Sequence, residues 1–291
     1  MDSVRTLARI LSRIEDGDRD ALKGLKPGGA RVIGLTGAPG VGKSTVTGAL
    51  TSEFRKAGQR VGVLAIDPSS PFSGGALLGD RVRMQQHATD DGVFIRSMAS
   101  RGHLGGLAAA TPQAVRALDA HGFDVILIET VGVGQAEVEI AAQADSVIVL
   151  TAPGLGDAIQ AAKAGILETA DIFVVNKADK PEAQQTVRDL RNMLALGHWE
   201  GRWKPPIITT VGTDSSGIEE VAGKLSDHWT WLNESGELSR RRLDRTRSEI
   251  LALARGMLES RIPGERLDKL ARSVAEGSLD PFAAAGELIG A

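Results

Sequence analysis

Nine consecutive residues, Gly37-Ala38-Pro39-Gly40-Val41-Gly42-Lys43-Ser44-Thr45, hold the clearest chemistry in the chain. They fit G-x-x-x-x-G-K-[ST], a loop whose glycines let backbone N–H groups turn inward around phosphate oxygens. Lys43 then reaches the β- and γ-phosphates, and the Ser44 hydroxyl becomes a ligand for Mg²⁺. The run follows the apolar stretch Val32–Thr36 and opens a helical pattern at Lys43. A helix N-terminus therefore adds positive potential to the phosphate cradle.

Two acidic residues close apolar runs further along: Asp67 after Val-Leu-Ala-Ile and Glu129 after Val-Ile-Leu-Ile. Hard oxygen ligands at strand ends suit Mg²⁺, held directly or through water, although a strand-end carboxylate also serves as a loop cap. Gly132 in Glu129-Thr130-Val131-Gly132 is placed to offer its N–H to a γ-phosphate. Asn176-Lys177-Ala178-Asp179 follows a further apolar run and fits the guanine-reading Asn-Lys-x-Asp pattern. The Asp179 carboxylate would accept from guanine N1–H and N2–H₂, which adenine lacks; leaving that acceptor unpaired costs about 1–3 kcal/mol. Thr210-Val211-Gly212 is positioned to give backbone N–H groups to the guanine O6. The expected ligands are GTP or GDP with Mg²⁺, and the expected reaction is GTP hydrolysis. Gln135 fits either a water-positioning role or polar loop packing.

These residues need a scaffold, and the hydrophobic pattern supplies one. Candidate strands are Val32–Thr36, Val61–Asp67, Val93–Met98, Val125–Glu129, Ser146–Thr151, Ile172–Asn176 and Pro206–Thr210, several of them apolar almost without a break. Such runs suit strands buried on both faces. Helical patterns at Lys43–Ala57, Thr111–His121, Asp157–Thr169 and Glu182–Leu196 lie between them. The alternation predicts an α/β P-loop NTPase fold with a doubly wound, mainly parallel sheet. Met1–Lys26 reads as an amphipathic helix and a short second one. After Trp231 the strands stop, and Ser239–Ser260 and Pro263–Ile289 read as a helical tail. The expected organisation is an N-terminal helical extension over 1–29, a nucleotide domain over 30–231 and a C-terminal helical segment over 232–291.

Composition narrows the field. Lys and Arg number 34 against 37 Asp and Glu, a net charge of −3, which disfavours nucleic-acid and membrane-surface partners. The dense basic run Arg240-Arg241-Arg242 is interleaved downstream with Asp244 and Glu249 and reads as a solvated helix face. There is no cysteine, so disulfides and thiolate metal sites are excluded. Charges throughout Met1–Arg19 and the lack of any apolar run of about 20 residues lead to the expectation of a cytoplasmic protein. His87, His103, His121, His198 and His228 are scattered and read as surface or loop residues.

Three longer matches go further. Asp67-Pro68-Ser69-Ser70-Pro71-Phe72-Ser73-Gly74-Gly75-Ala76-Leu77-Leu78-Gly79-Asp80-Arg81-Val82-Arg83-Met84, Ser100-Arg101-Gly102-His103-Leu104-Gly105-Gly106-Leu107 and Glu129-Thr130-Val131-Gly132-Val133-Gly134-Gln135 resemble the MeaB/ArgK (MMAA-like) family of methylmalonyl-CoA mutase-associated GTPases. The resemblance implies a GTPase that binds an adenosylcobalamin-dependent mutase, gates cofactor loading and protects the enzyme. It implies that Asp67, Asp80 and Glu129 serve the Mg²⁺ and switch apparatus, and that Asp157 and Lys163 relay partner binding to hydrolysis. It also implies a homodimer built partly by the C-terminal helices. From their own residue types, Asp157 reads as a helix N-cap and Lys163 as a surface lysine. The competing function is a metal-insertion or other regulatory GTPase with a different partner enzyme.

Overall fold

The computed structural model describes residues 2–18, 20–67, 87, 89–99, 110–130, 142–154 and 169–290. The expected helix Asp157–Thr169 therefore lies almost wholly outside the described residues. The chain forms two compact units, residues 1–241 and 242–291.

The first unit is built on seven strands: β1 (Arg31–Thr36), β2 (Val61–Asp67), β3 (Val93–Ala99), β4 (Val125–Thr130), β5 (Ser146–Thr151), β6 (Ile172–Asn176) and β7 (Ile207–Thr210). They lie in the order β3-β2-β4-β1-β5-β6-β7, and every neighbouring pair is parallel. β4, β5 and β6 are buried at every position, as near-continuous apolar runs require. The strands fall where the hydrophobic pattern places them, with ends shifted by a residue at most.

Side chains alternate between two cores, one on each face of the sheet. Val32, Ile126, Ile128 and Val175 face α1 (Asp2–Glu15), α3 (Thr111–Ala120) and α4 (Ala183–Ala195). Ile33, Leu35, Leu127 and Ile148 face α2 (Lys43–Lys56) and α5 (Ile218–Glu234). Helices on both faces of a parallel sheet make the fold doubly wound. In such folds the ligand crevice opens at the carboxyl ends of the strands, where the strand order reverses. Here that point is beside β1, flanked by β4 on one side and β5 on the other.

An aspartate before each of three strands fixes the register at the opposite edge. Asp124 Oδ2 accepts from the Arg60 amide at 2.7 Å, Asp145 Oδ2 from Val32 at 3.0 Å, and Asp171 Oδ2 from Val147 at 2.8 Å. Each carboxylate binds the N–H at the start of the neighbouring strand, satisfying a donor that the ladder leaves over.

The amphipathic N-terminal helix is α1, whose Leu7, Leu11 and Ile14 are buried. The expected second helix before Lys26 is a series of turns instead. Asp18 draws the backbone away from helix: its carboxylate accepts from the Asp20 amide at 2.9 Å and pairs with Arg13. The tail is helical as expected, with α6 (Glu237–Glu259), α7 (Gly264–Ala275) and α8 (Pro281–Ile289). Asp280 caps α8 by accepting from the amides of Phe282 and Ala283, with Pro281 at the first position.

Candidate functional site

β1 ends at Thr36, and the loop that follows delivers the chain into α2. Gly37 has φ +142, and a Cβ there would overlap the Leu150 carbonyl of β5, so only glycine lets the loop start this close to the sheet. Gly42, the N-cap of α2, has φ +98, and a Cβ there would overlap the Asn176 amide group. The N-cap Gly42 gives α2 no side-chain cap, and the start of a helix turns its positive end towards an anion.

Lys43 is buried, and its Nζ donates to the carbonyls of Gly37 at 2.7 Å and Ala38 at 3.0 Å. The ammonium is thus held inside the ring of loop backbone. Ser44 Oγ, on the exposed side of the helix start, donates to Glu129 Oε1. Glu129 is itself buried near the end of β4, in register with Leu35 of β1. A hydroxyl and a carboxylate in contact beside the phosphate loop form a hard-oxygen pair. That chemistry fits Mg²⁺, which takes one or two protein ligands and completes its octahedron with phosphate and water. Among the described residues no three or more His, Cys, Asp or Glu gather as a metal site. Asp67 is the last residue of β2. Its side chain lies outside the described residues, as do Asp80, Asp157 and Lys163.

Asn176, at the end of β6, ties the phosphate loop to the segment that follows β7. Its Nδ2 donates to the Val41 carbonyl at 2.8 Å, while its Oδ1 accepts from Thr210 Oγ1 at 3.1 Å and the Gly212 amide at 3.0 Å. Lys177 adopts a left-handed conformation, φ +57, and its Nζ donates to the Gly40 carbonyl at 2.7 Å. The Ala178 amide donates to the Thr210 carbonyl at 3.0 Å, which joins the Asn176–Asp179 turn to the end of β7. Asp179 stands exposed at the tip of that turn. Gly212 packs over the methyl groups of Thr45 and Val46, so Thr210-Val211-Gly212 lies against the start of α2. The structure thus brings together Gly37 through Thr45, Glu129, Asn176, Lys177, Asp179 and Thr210 through Gly212.

Two histidines differ from the sequence reading. His228 is fully buried and His87 is 8% exposed. His228 continues the buried face Val221-Leu225-His228-Leu232 of α5, and that helical spacing was the available signal. Its Nδ1 lies 2.8 Å from Ser146 Oγ, and its Nε2 lies 3.3 Å from Asp171 Oδ1, too poorly aligned for a hydrogen bond. Burial holds its pKa below the ordinary histidine value, against the pull of Asp171. Arg241 also departs from a solvated face: Nη1 and Nη2 each meet an Asp171 oxygen at 2.9 Å.

Fold and site define a P-loop GTPase. Residues 18–266 match the family described as methylmalonyl Co-A mutase-associated GTPase MeaB. A Pyrococcus abyssi protein carrying a GTPase name is 47% identical over 98% of this chain and 92% of its own. GTPase ArgK of Escherichia coli is 39% identical over 71% of this chain and 63% of its own. The chain belongs to the MeaB family and is a GTP hydrolase. The methylmalonic aciduria type A homolog of Caenorhabditis elegans, a mitochondrial protein, is 37% identical over 73% of this chain and 54% of its own. Among solved structures, a LAO/AO transport system kinase superposes with a TM-score of 0.68 at 24% identity over 98% of this chain and 96% of that one. That likeness shows the fold.

Proposed function

We propose that this GTPase is the nucleotide-dependent chaperone and gate of an adenosylcobalamin-dependent methylmalonyl-CoA mutase or a related B12-dependent mutase. Support comes from the family and from one observation above others. Asn176 holds the phosphate loop through Val41 and the guanine segment through Thr210 and Gly212, so the two ends of a bound nucleotide share one strut.

In this reading the amides of 37–45 and Lys43 cradle the phosphates, and Asn176, Lys177, Asp179 and Thr210 through Gly212 recognise guanine. Ser44 and Glu129, with Asp67 and Asp80, would hold Mg²⁺ directly or through water, and the ion would supply positive charge to the β- and γ-phosphates. Lys43 leaves the Gly37 and Ala38 carbonyls to meet the phosphates. Glu129, near the end of β4 and beside Ser44, would help to hold that ion. Asp157 and Lys163 pass the partner's binding to the site. The protein works in the cytoplasm as a homodimer through its C-terminal helices, without nucleic acid or membrane. Among the described residues no helix is long and apolar enough to cross a membrane.

The test is GTP turnover with and without a purified cognate mutase. Stimulation of about tenfold to a thousandfold is expected, equivalent to roughly 1.4–4 kcal/mol of barrier. Asp157→Ala and Lys163→Ala should keep the intrinsic rate and lose the stimulation. Equal wild-type rates with and without mutase would defeat the gating role and leave a GTPase of another partner.

A further inference from the structure

β1 leads into the phosphate loop and β4 carries Glu129, and the backbone pairing between these two neighbours ends at Leu35 and Glu129. Their outer ladders run one residue further, pairing Thr36 with Val149 of β5 and Thr130 with Ile66 of β2. Pairing between β1 and β4 thus stops where the ligand crevice begins. A side-chain contact continues it. Thr130 Oγ1 lies 3.4 Å from Thr36 Oγ1 and 3.5 Å from the Leu35 carbonyl oxygen, and its single proton serves one or the other. Both separations exceed that of an ordinary O–H···O bond, so the rung is a loose one. Thr36 and Thr130 are nevertheless both buried.

Side chains alternate along a strand, so Thr130 lies on the face of Ile126 and Ile128, in the core covered by α1, α3 and α4. Thr36 shares that face with Val32. Glu129 points to the opposite face, that of Leu127 and α2, where its Oε1 accepts from Ser44. A bond on one face of the strand end therefore fixes where the carboxylate stands on the other. Packing does not call for this bond. Valine has the shape of threonine and buries without the cost of taking a hydroxyl out of water. We propose that Thr130 and Thr36 are a positioning pair, which holds Glu129 opposite Ser44 and so sets how well those two groups take Mg²⁺. This rests on the reading of Ser44 and Glu129 as holders of the ion.

The experiment titrates Mg²⁺ calorimetrically into the GDP-bound full chain. The proteins are wild type, Thr130→Val, Thr130→Ser, the double variant Thr36→Val with Thr130→Val, and Ser44→Ala. GDP affinity in EDTA and stability in urea are measured alongside. Thr130→Val should weaken Mg²⁺ about three- to fivefold, the lower half of the range for one hydrogen bond, and leave metal-free GDP binding unchanged. Thr130→Ser keeps the hydroxyl and loses a buried methyl group, so it should lower stability while holding wild-type metal affinity. The double variant replaces both partners by apolar groups of the same shape and should fold with near wild-type stability. It should still bind Mg²⁺ as weakly as Thr130→Val does. Metal affinity that follows stability across the series, rather than the presence of the hydroxyl, would assign the pair to packing and overturn the proposal. So would wild-type metal affinity in the double variant, or an equal loss of metal-free GDP binding. Unchanged Mg²⁺ binding in Ser44→Ala would instead defeat the metal-site reading beneath it.

Discussion

Asp179 is exposed at the tip of its turn, while Asn176 beside it is buried and hydrogen-bonded on both sides of its amide. In the proposed reading the two residues of one motif divide the work: Asn176 builds the site and Asp179 meets the base. Asp179→Asn replaces an acceptor-only carboxylate with a group that also donates. Competition binding should show preference moving from GTP towards XTP, whose base presents a carbonyl where guanine has its amino group. A variant that keeps the wild-type GTP-to-XTP ratio places base recognition elsewhere. Gly42 tests the strut from its other end. Gly42→Ala adds a methyl group against Asn176 and puts a Cβ at φ +98, a backbone strain of about 1–2 kcal/mol before the overlap is counted. GTP affinity should fall by more than about tenfold. Gly223→Ala, in mid-helix with open space around it, is the control and should stabilise the fold by up to about 1 kcal/mol. Equal affinities in calorimetry for Gly42→Ala and wild type would show that Asn176 does not need its place.

The elements show why much of this was legible and some was not. Strand runs such as Val125–Thr130 are apolar because both faces are covered, so hydropathy alone finds them. The phosphate loop and the Asn176–Asp179 turn are local in sequence, and their glycines and polar residues announce them. The links made by Asp124, Asp145 and Asp171 are not local: each joins residues 24 to 113 positions apart, and an Asp before a strand reads simply as a turn residue. The cluster of Asp171, Arg241 and His228 is the extreme case, with partners from just before β6, from α6 and from α5 that only the folded sheet brings together. It makes a prediction. His228 faces Ser146, Asp171, Arg241, Trp203 and Trp231, and burial depresses its pKa although Asp171 opposes this. A base with a depressed folded pKa leaves the unfolded chain to take up the proton first. Stability is therefore flat above the unfolded value of about 6.5 and falls as pH drops below it, by at most about 1.4 kcal/mol per unit. Urea melts from pH 5 to 8 should show this slope in wild type and a shallower one in His228→Gln. Identical slopes would assign the acid sensitivity to other groups.

At the scale of the whole molecule, the open matter is what the second unit does. Residues 242–291 contain a groove of about 400 Å³ between α7 and α8, lined by Leu267, Leu270, Val274, Ala284 and Leu288. Along α6, Leu243, Ile250, Leu251, Met257 and Leu258 are all exposed, and no residue of the helix is buried. Their spacing is informative: Leu243, Ile250 and Met257 recur every seven residues, as do Leu251 and Leu258, so they form one stripe along the helix. Contiguous apolar surface of this kind marks an interaction site. A second copy of the chain is the occupant the proposed homodimer requires, and a two-fold axis would let one stripe cover its own equivalent. Leu251→Arg with Leu258→Arg puts two charges on that stripe without touching the buried core, so folding should be preserved. Sedimentation equilibrium should then show a dimer for wild type and a monomer for the double variant. Intrinsic GTP turnover should stay near wild type, because Lys43, Ser44, Glu129, Asn176 and Asp179 all belong to residues 1–241. A dimer that survives the double substitution places the contact elsewhere, and a wild-type monomer across the accessible concentrations removes the homodimer. A turnover that falls along with the dimer would show instead that the second copy completes the nucleotide site, making assembly part of the hydrolytic machinery rather than a platform for it.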